Sequence, residues 1–579
     1  MSGTGALGRA RSHLIAVARG DAPPDLVIEG ARVFCAFTRE WLEGDVAIAD
    51  GRIAGIGAPS EGGERIAAHG RWLVPGFIDA HMHIESSKLT PAEFARAVLP
   101  HGTTAVVCDP HEVANVLGSD GVHWMLDASE ALPLTVFVMA PSCVPASAFE
   151  SPRRELTAGD MGAILRRKRA LGVAEMMNFP GVIAGDPDVL AKLEVEGASH
   201  ADGHAPGVLG RDLDAYAAAG IRSDHEATTY EEALEKRRRG LWVLIREASN
   251  ARNLRALLPL VREHGPDFCA FCTDDREPDF LLREGHINQM CRVAVAEGVP
   301  AEDALVMATL NAARAHGLAD RGAIAPGYHA DLVLLDDLER FAPSLVLSAG
   351  RVAARDGRAE PFEAPPVPAH VLRTMRSAPV TAADLALDAD GAERVRVIEI
   401  VPEQLITLVR EEAPTLADGR VVADPGRDLA KIAVIERHHA TGRVGRGLVT
   451  GFGLRSGAFA STVAHDAHNV VVVGVDDADM LACAARLQEL GGGIVVADGG
   501  EVRGELALPV AGLLSDQPAE QVVERLEALQ RRLAGQGVRT AAPFMTLSFL
   551  ALSVIPALKI TDRGLVDVER FELVPLGVS

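Results

Sequence analysis

A (β/α)8 TIM barrel with a small flanking β-sandwich and an α+β C-terminal domain is the α/β fold this sequence predicts. Eight short apolar runs lie between residues 76 and 276, helix-like stretches separate most of them, and each run ends in polar or metal-binding side chains. Strands that alternate with helices imply βαβ units and a parallel sheet. Eight such units in roughly 250 residues match a (β/α)8 barrel, whose functional residues sit at the C-terminal strand ends.

The elements follow in chain order. Residues 1–74 are expected to supply an N-terminal segment and the first part of the β-sandwich, with strand-like stretches at Asp25–Val33 and Gly44–Gly57. The barrel is expected over residues 75–322. Its first run, from Gly76 to Ser87, places His81 and His83 two apart on an apolar strand. A period of two puts both imidazoles on one face, a half-site for Zn, Mn or Fe. Runs 2 and 3 are Thr103–Asp109 and Leu134–Ser142. Run 4, Gly172–Met177, carries Glu175. Run 5, Ser199–His204, offers His204 with His200 as a rival, and Pro206 and Gly207 put the strand end nearer His204. Run 6, Ile221–Glu226, carries His225, and run 7, Leu241–Glu247, carries Arg246. Run 8, Phe268–Asp275, ends in Asp274 and Asp275. Pro91–Leu99 and Asn253–His264 read as two of the intervening helices.

The candidate ligands keep the barrel's beat. His83 to Glu175, to His204, to His225, to Asp274 spans 92, 29, 21 and 49 residues. At about 31 residues per unit these are three units, one, a short one and two.

Residues 323–365 are expected to return to the sandwich. The Pro-rich stretch Glu363–Ala369 marks a linker. Residues 366–579 follow as the α+β domain, with strands such as Val395–Val401 and Asn469–Gly474. Its segment Arg455–Asn469, which holds His465 and His468, reads first as a surface turn capping that domain. The sharper alternative is a lid over a barrel mouth, in its own chain or a partner's.

Bulk properties bound the function. A net charge of −23 excludes phosphate-backbone binding as the main task. The short basic run Lys236–Arg239 reads as a solvated helix face. No run of 18 apolar residues exists, so no membrane helix is expected, and Met1–Arg19 lacks the apolar core of a secretory signal. Seven cysteines read as reduced thiols in the cytoplasm.

The ligand pattern resembles the amidohydrolase superfamily. Within it, His81-Met-His-Ile-Glu-Ser-Ser87, Asp109-Pro-His-Glu-Val-Ala-Asn115, Glu175-Met-Met-Asn-Phe-Pro-Gly181, Asp202-Gly-His-Ala-Pro-Gly207, Cys272-Thr-Asp-Asp-Arg276 and Arg455–Asn469 are similar to the adenine deaminase family. That resemblance spans the chain from about residue 25 onward. It implies two divalent cations, Mn first with Fe or Zn open, held by His81, His83, Glu175, His204, His225 and Asp274. Glu175 stands where many superfamily members use a carbamylated lysine. The implied reaction is hydrolytic attack at C6 of adenine, giving hypoxanthine and ammonia, with Asp274 moving the proton. Glu85 is the first candidate for polarising the purine ring, and Arg246 and Asp275 are further substrate contacts.

Alternatives stay open at this point. A related aminopurine or cyclic amide would keep the metal site and change the pocket. A non-enzymatic binding protein on this fold would be expected to lose ligands, and none is missing. His83-Ile-Glu85 with Cys269-Ala-Phe-Cys272 offers a rival zinc nucleobase deaminase motif. However, the two cysteines sit inside an apolar run, the usual place for inert thiols. His111 and Glu112 line the mouth or cap a loop. A homodimer or higher homo-oligomer, with no nucleic-acid or membrane partner, completes the expectation.

Overall fold

The structure is a computed structural model that describes residues 3–57, 61–402 and 404–578. Its centre is a set of eight short parallel strands: β1 (Phe77–Met82), β2 (Thr103–Cys108), β3 (Thr135–Ala140), β4 (Ala170–Met176), β5 (Ala201–Gly203), β6 (Ser223–Asp224), β7 (Trp242–Arg246) and β8 (Cys269–Cys272). Strands β1 to β5 form one parallel sheet and β6 to β8 another. Parallel bridges close both seams, Ala201 with Ile221 and Met82 with Asp274. At the second seam the Asp274 N–H donates to His81 O at 3.0 Å, and the His83 N–H to Asp274 O at 3.4 Å. The eight apolar runs are therefore the eight staves of a closed barrel.

Both faces of these strands are buried, which is why they read as continuous apolar runs rather than alternating ones. Ile78, Ala80, Ala105, Val107, Phe137, Met139, Leu244, Ala270 and Cys272 share one cluster. Residues from β1–β3 can meet residues from β7 and β8 in this way only across the barrel interior. The outer helices are amphipathic; Leu254–His264 buries Leu254, Leu257, Leu258, Leu260 and Val261, a stripe at helical spacing. Cys269 belongs to the outer core and Cys272 to the inner cluster. The two thiols thus face opposite ways, and burial pushes Cys269 up to about 12. The rival Cys-x-x-Cys zinc reading fails on that geometry.

Strands before and after the barrel share a nine-stranded sheet, in which Trp72–Pro75 pairs antiparallel with Leu332–Leu335. Its core includes Val33, Val46, Ile53, Leu73, Leu332 and Leu347. Gly76 is the hinge from this sheet into β1. A Cβ there would lie 2.1 Å from Thr104 Oγ1, so only glycine fits the approach.

The C-terminal residues form a second nine-stranded sheet that includes Arg394–Ile400, Ala430–Ile435, Val444–Thr450, Val470–Gly474 and Gly493–Asp498. Helices Asp477–Leu490 and Ala519–Gly535 pack on it. This domain docks on the barrel through the loop after β3. Ser147 Oγ meets Ser553 Oγ at 2.6 Å, Thr561 Oγ1 donates to Phe149 O at 2.7 Å, and Asn469 Nδ2 donates to Ser151 O at 3.3 Å.

One expectation is corrected here. Lys236 is not part of a solvated face but is fully buried. Its Nζ donates to Asp224 Oδ2 at 2.7 Å, Glu232 Oε1 at 2.8 Å and Ala205 O at 2.7 Å. Asp224 ends β6 and accepts the N–H groups of Ala205, Glu226 and Ala227, so the lysine secures the turn that presents His225. Lys236→Met leaves a buried carboxylate unpaired and should lower unfolding free energy by about 3–5 kcal/mol in urea titration. A loss below about 1 kcal/mol would show that Asp224 finds another partner.

Candidate active site

The six predicted ligands converge at the C-terminal end of the barrel. His81 and His83 close β1, Glu175 lies on β4, and His204, His225 and Asp274 follow β5, β6 and β8. All six are buried. Glu175 sits at the middle. Its Oε1 lies 3.8 Å from His81 Nε2 and 3.3 Å from His83 Nε2, while its Oε2 lies 2.7 Å from His204 Nδ1 and 3.3 Å from His225 Nε2. Asp274 Oδ1 lies 3.2 Å from His83 Nε2 and 4.0 Å from His81 Nε2. The chain holds Asp274 at a φ of 54°, a left-handed conformation that aspartate tolerates better than most residues and that recurs at functional sites.

The donors suit metal ions. His83 Nδ1 donates to Asp109 O at 2.9 Å, which fixes the tautomer and turns the Nε2 lone pair towards the cluster. His81 Nε2 has no hydrogen-bond partner among the described residues. Burial and the neighbouring His225 hold His81 well below its ordinary value, so it is a neutral donor. Burial pushes the Glu175 carboxyl up, but His204, His225 and His83 outweigh it and hold the group well below the usual carboxylate range. Asp274 is likewise held down against burial, by His83 and Arg246. Two buried carboxylates that demand positive charge, ringed by imidazole nitrogens, are a site that divalent cations fit.

Three more residues surround this cluster, of which Glu226 was not singled out in the sequence. Glu226, next to His225, places Oε1 3.4 Å from His225 Nε2 and 3.6 Å from His204 Nδ1. The buried Arg246 guanidinium joins Glu226 to the cluster, donating to Asp274 Oδ2 at 2.8 Å and to Glu226 Oε2 at 3.1 Å, with a further contact to Glu226 Oε1. Arg246 therefore orients Asp274, a tighter role than the substrate contact expected for it. His111 lies 3.6 Å from Glu175 Oε1 and 3.6 Å from Asp466 Oδ1, so it lines the mouth rather than capping a loop.

Above the cluster is a narrow cleft. The barrel contributes His83, His111, Glu175, Met177, Glu226, Asp274 and Asp275, and the C-terminal domain contributes Leu405, His465, Asp466, Phe549, Leu552 and Ile555. The segment around His465 and His468 is thus not a surface turn. Both histidines are buried, and the segment covers the barrel mouth of its own chain. Asp275 faces the cleft, held by Ser86, and burial together with Asp274 pushes it up to about 6.

Glu85 is placed elsewhere. β1 ends at Met82 and Ile84–Ser87 forms a 3-10 turn, so the strand period no longer aims Glu85 at the mouth. Its Oε1 instead accepts the Val113 N–H at 3.2 Å, in the first turn of helix His111–Leu117. His200 is also outside the cluster, 2.9 Å from His316 Nδ1, which leaves His204 at the end of β5.

The chain is similar to known proteins over nearly its whole length. Residues 72–364 match the family model described as "Amidohydrolase family", and residues 404–572 match the "Adenine deaminase C-terminal domain". An adenine deaminase of Desulfatibacillum aliphaticivorans is 47% identical over 97% of this chain and 99% of that protein. One of Cereibacter sphaeroides (strain ATCC 17025 / ATH 2.4.3) is 49% identical over 98% of this chain and 100% of that protein. Among solved structures, a β-aspartyl dipeptidase of Fervidobacterium islandicum AW-1 aligns with 59% of this chain and 99% of its own, at 18% identity and a TM-score of 0.45.

Proposed function

The chain belongs to the adenine deaminase family of the amidohydrolases, and from that premise we propose that its donor cluster holds two divalent cations which serve the reaction. That reaction is the hydrolytic deamination of adenine to hypoxanthine and ammonia. The observation that carries the two-cation reading is Glu175, whose Oε1 faces His81, His83 and His111 while its Oε2 faces His204 and His225. His81, His83 and Asp274 would hold one cation, His204 and His225 the other, and Glu175 both. Manganese is the proposed metal, with iron and zinc as the alternatives that the same imidazole and carboxylate donors accept.

Cations bound there would acidify a shared water towards neutral pH. The rest falls to the chain. Asp274 takes a proton from the attacking water and passes it towards the departing amine, the work of a positioned carboxylate. Arg246 keeps the Asp274 carboxylate turned to that task by holding Oδ2. Asp275, on the cleft wall, contacts a ring nitrogen of the purine. Glu85 is given no part in this scheme, because it does not line the cleft and its Oε1 accepts the Val113 N–H. Apolar Leu405, Leu552 and Ile555 exclude water from the reacting face.

The seven cysteines are all unpaired, which supports a reducing, cytoplasmic setting. No helix among the described residues is long and apolar enough to cross a membrane. Exposed Leu408 and Val409, on the edge strand Thr407–Glu412, favour a homo-oligomer, which light scattering would measure. The reaction itself is tested by ammonia release across a panel of aminopurines and cyclic amides with metal-loaded protein. Adenine should be preferred by about 10²-fold or more over an amide lacking the purine ring system. A cyclic amide as the best substrate would overturn the reading.

A further inference from the structure

The barrel alone does not complete the cleft. Within the wall from the C-terminal domain, His465 is buried and its Nε2 has no hydrogen-bond partner among the described residues. Its other nitrogen is accounted for: Nδ1 lies 3.5 Å from Asp466 Oδ1 and 3.9 Å from Glu112 Oε1. Two carboxylates on that side keep a hydrogen on Nδ1 and, with Asp275 across the cleft, favour the charged imidazolium, which leaves an Nε2–H facing the cleft. Across a gap of 4.0 Å stands Asp275 Oδ1, too far for a direct hydrogen bond and well placed for a partner that both can touch.

The imidazole is also held rigidly. Its ring stacks on Phe549 with centroids 4.4 Å apart and planes at 9°, and the backbone N–H of His465 donates to Ser548 O at 3.1 Å. The turn that carries it is pinned by Arg437. The Arg437 Nε donates to His468 O, its Nη2 donates to Ala511 O at 3.1 Å, and its own N–H reaches Asn469 Oδ1 at 3.0 Å. A buried polar atom left unmet costs stability unless a ligand meets it. A rigid donor ring beside a cleft is the form that a recognition group takes.

A cation between Glu112, His465 and His468 is the competing occupant, and His468 argues against it. The His468 Nδ1 accepts the Ala464 N–H at 3.1 Å, so its hydrogen sits on Nε2, the nitrogen facing Glu112. That nitrogen has no lone pair for a metal.

We infer that His465 and Asp275 together grip a ring-nitrogen edge of the purine, so that the C-terminal domain supplies part of the substrate site. A neutral heterocycle whose rim alternates acceptor nitrogens with an N–H matches one imidazole and one carboxyl. The apolar side chains Leu405, Leu552 and Ile555 cover its flat faces. This inference rests on the adenine reading above.

His465→Phe tests it, because phenylalanine keeps an aromatic ring to stack on Phe549 and removes both ring nitrogens. The full-length, metal-loaded variant should keep wild-type metal content. It should bind hypoxanthine, and turn over adenine by kcat/KM, about 10-fold or more worse. Among 3-deazaadenine, 7-deazaadenine and 9-methyladenine, the analogue that lacks the gripped atom should show little further loss in the variant. His465→Gln should restore part of the affinity, and it serves alone if the Phe variant does not fold. Hypoxanthine binding within about twofold of wild type would overturn the inference, as would an equal loss with every analogue. Wild-type protein that leaves adenine untouched would instead overturn the reaction itself.

Discussion

Glu175→Gln is expected to lose bound metal and adenine turnover together. The substitution keeps the shape of the side chain and removes its charge from a buried position where five imidazole nitrogens lie between 2.7 and 3.8 Å from its oxygens. Among the described residues no other carboxylate approaches all four ligand histidines: Asp274 reaches the β1 histidines, and Glu226 reaches His204 and His225. The loss in metal affinity should exceed the 10–100-fold that removal of an outer partner costs. Metal content after gel filtration measures it. A variant that retained wild-type metal would show that Glu175 is not shared between two ions.

Asp274→Asn should separate binding from chemistry. His81, His83 and Glu175 remain on that side of the cluster, and the amide oxygen of asparagine can still reach the ion, so most metal stays. The amide cannot accept the water's proton. A fall in kcat of about 10³-fold is expected, within the range that a positioned general base supplies. Arg246 reinforces the contrast: its bond to Asp274 Oδ2 favours the charged carboxylate in the wild type and has a weaker partner in the variant. Wild-type kcat with full metal would remove Asp274 from the proton path.

How much of this was legible in the sequence depends on the range of the forces involved. The barrel was readable because each βα unit repeats the same local physics, an apolar strand and then an amphipathic helix. The six clustered side chains were readable because they fall on strand ends at intervals of whole units. Glu85 misled because the period of two that joins His81 and His83 lasts only as long as the strand. The chain turns at Ile84, and the next carboxylate meets the Val113 N–H instead of lining the cleft. Lys236 misled because a helix pattern gives composition but not orientation: besides its i−4 neighbour Glu232, its buried partner is Asp224 on β6. The lid stood only as the second reading of Arg455–Asn469, for a third reason. Its contacts join Ser147 to Ser553 and Asn469 to Ser151, hundreds of residues apart, and no local pattern records such a meeting. Glu226 had a signal that is easy to miss, a carboxylate immediately after a ligand histidine on a strand of only two residues.

The central claim is that two cations, held by one shared carboxylate, serve the deamination of adenine. Titrating metal-free protein with manganese while following hypoxanthine formation tests it most directly. Activity should rise until two equivalents are bound per chain and then remain constant. Full activity at one equivalent, with the second adding nothing, would contradict the claim.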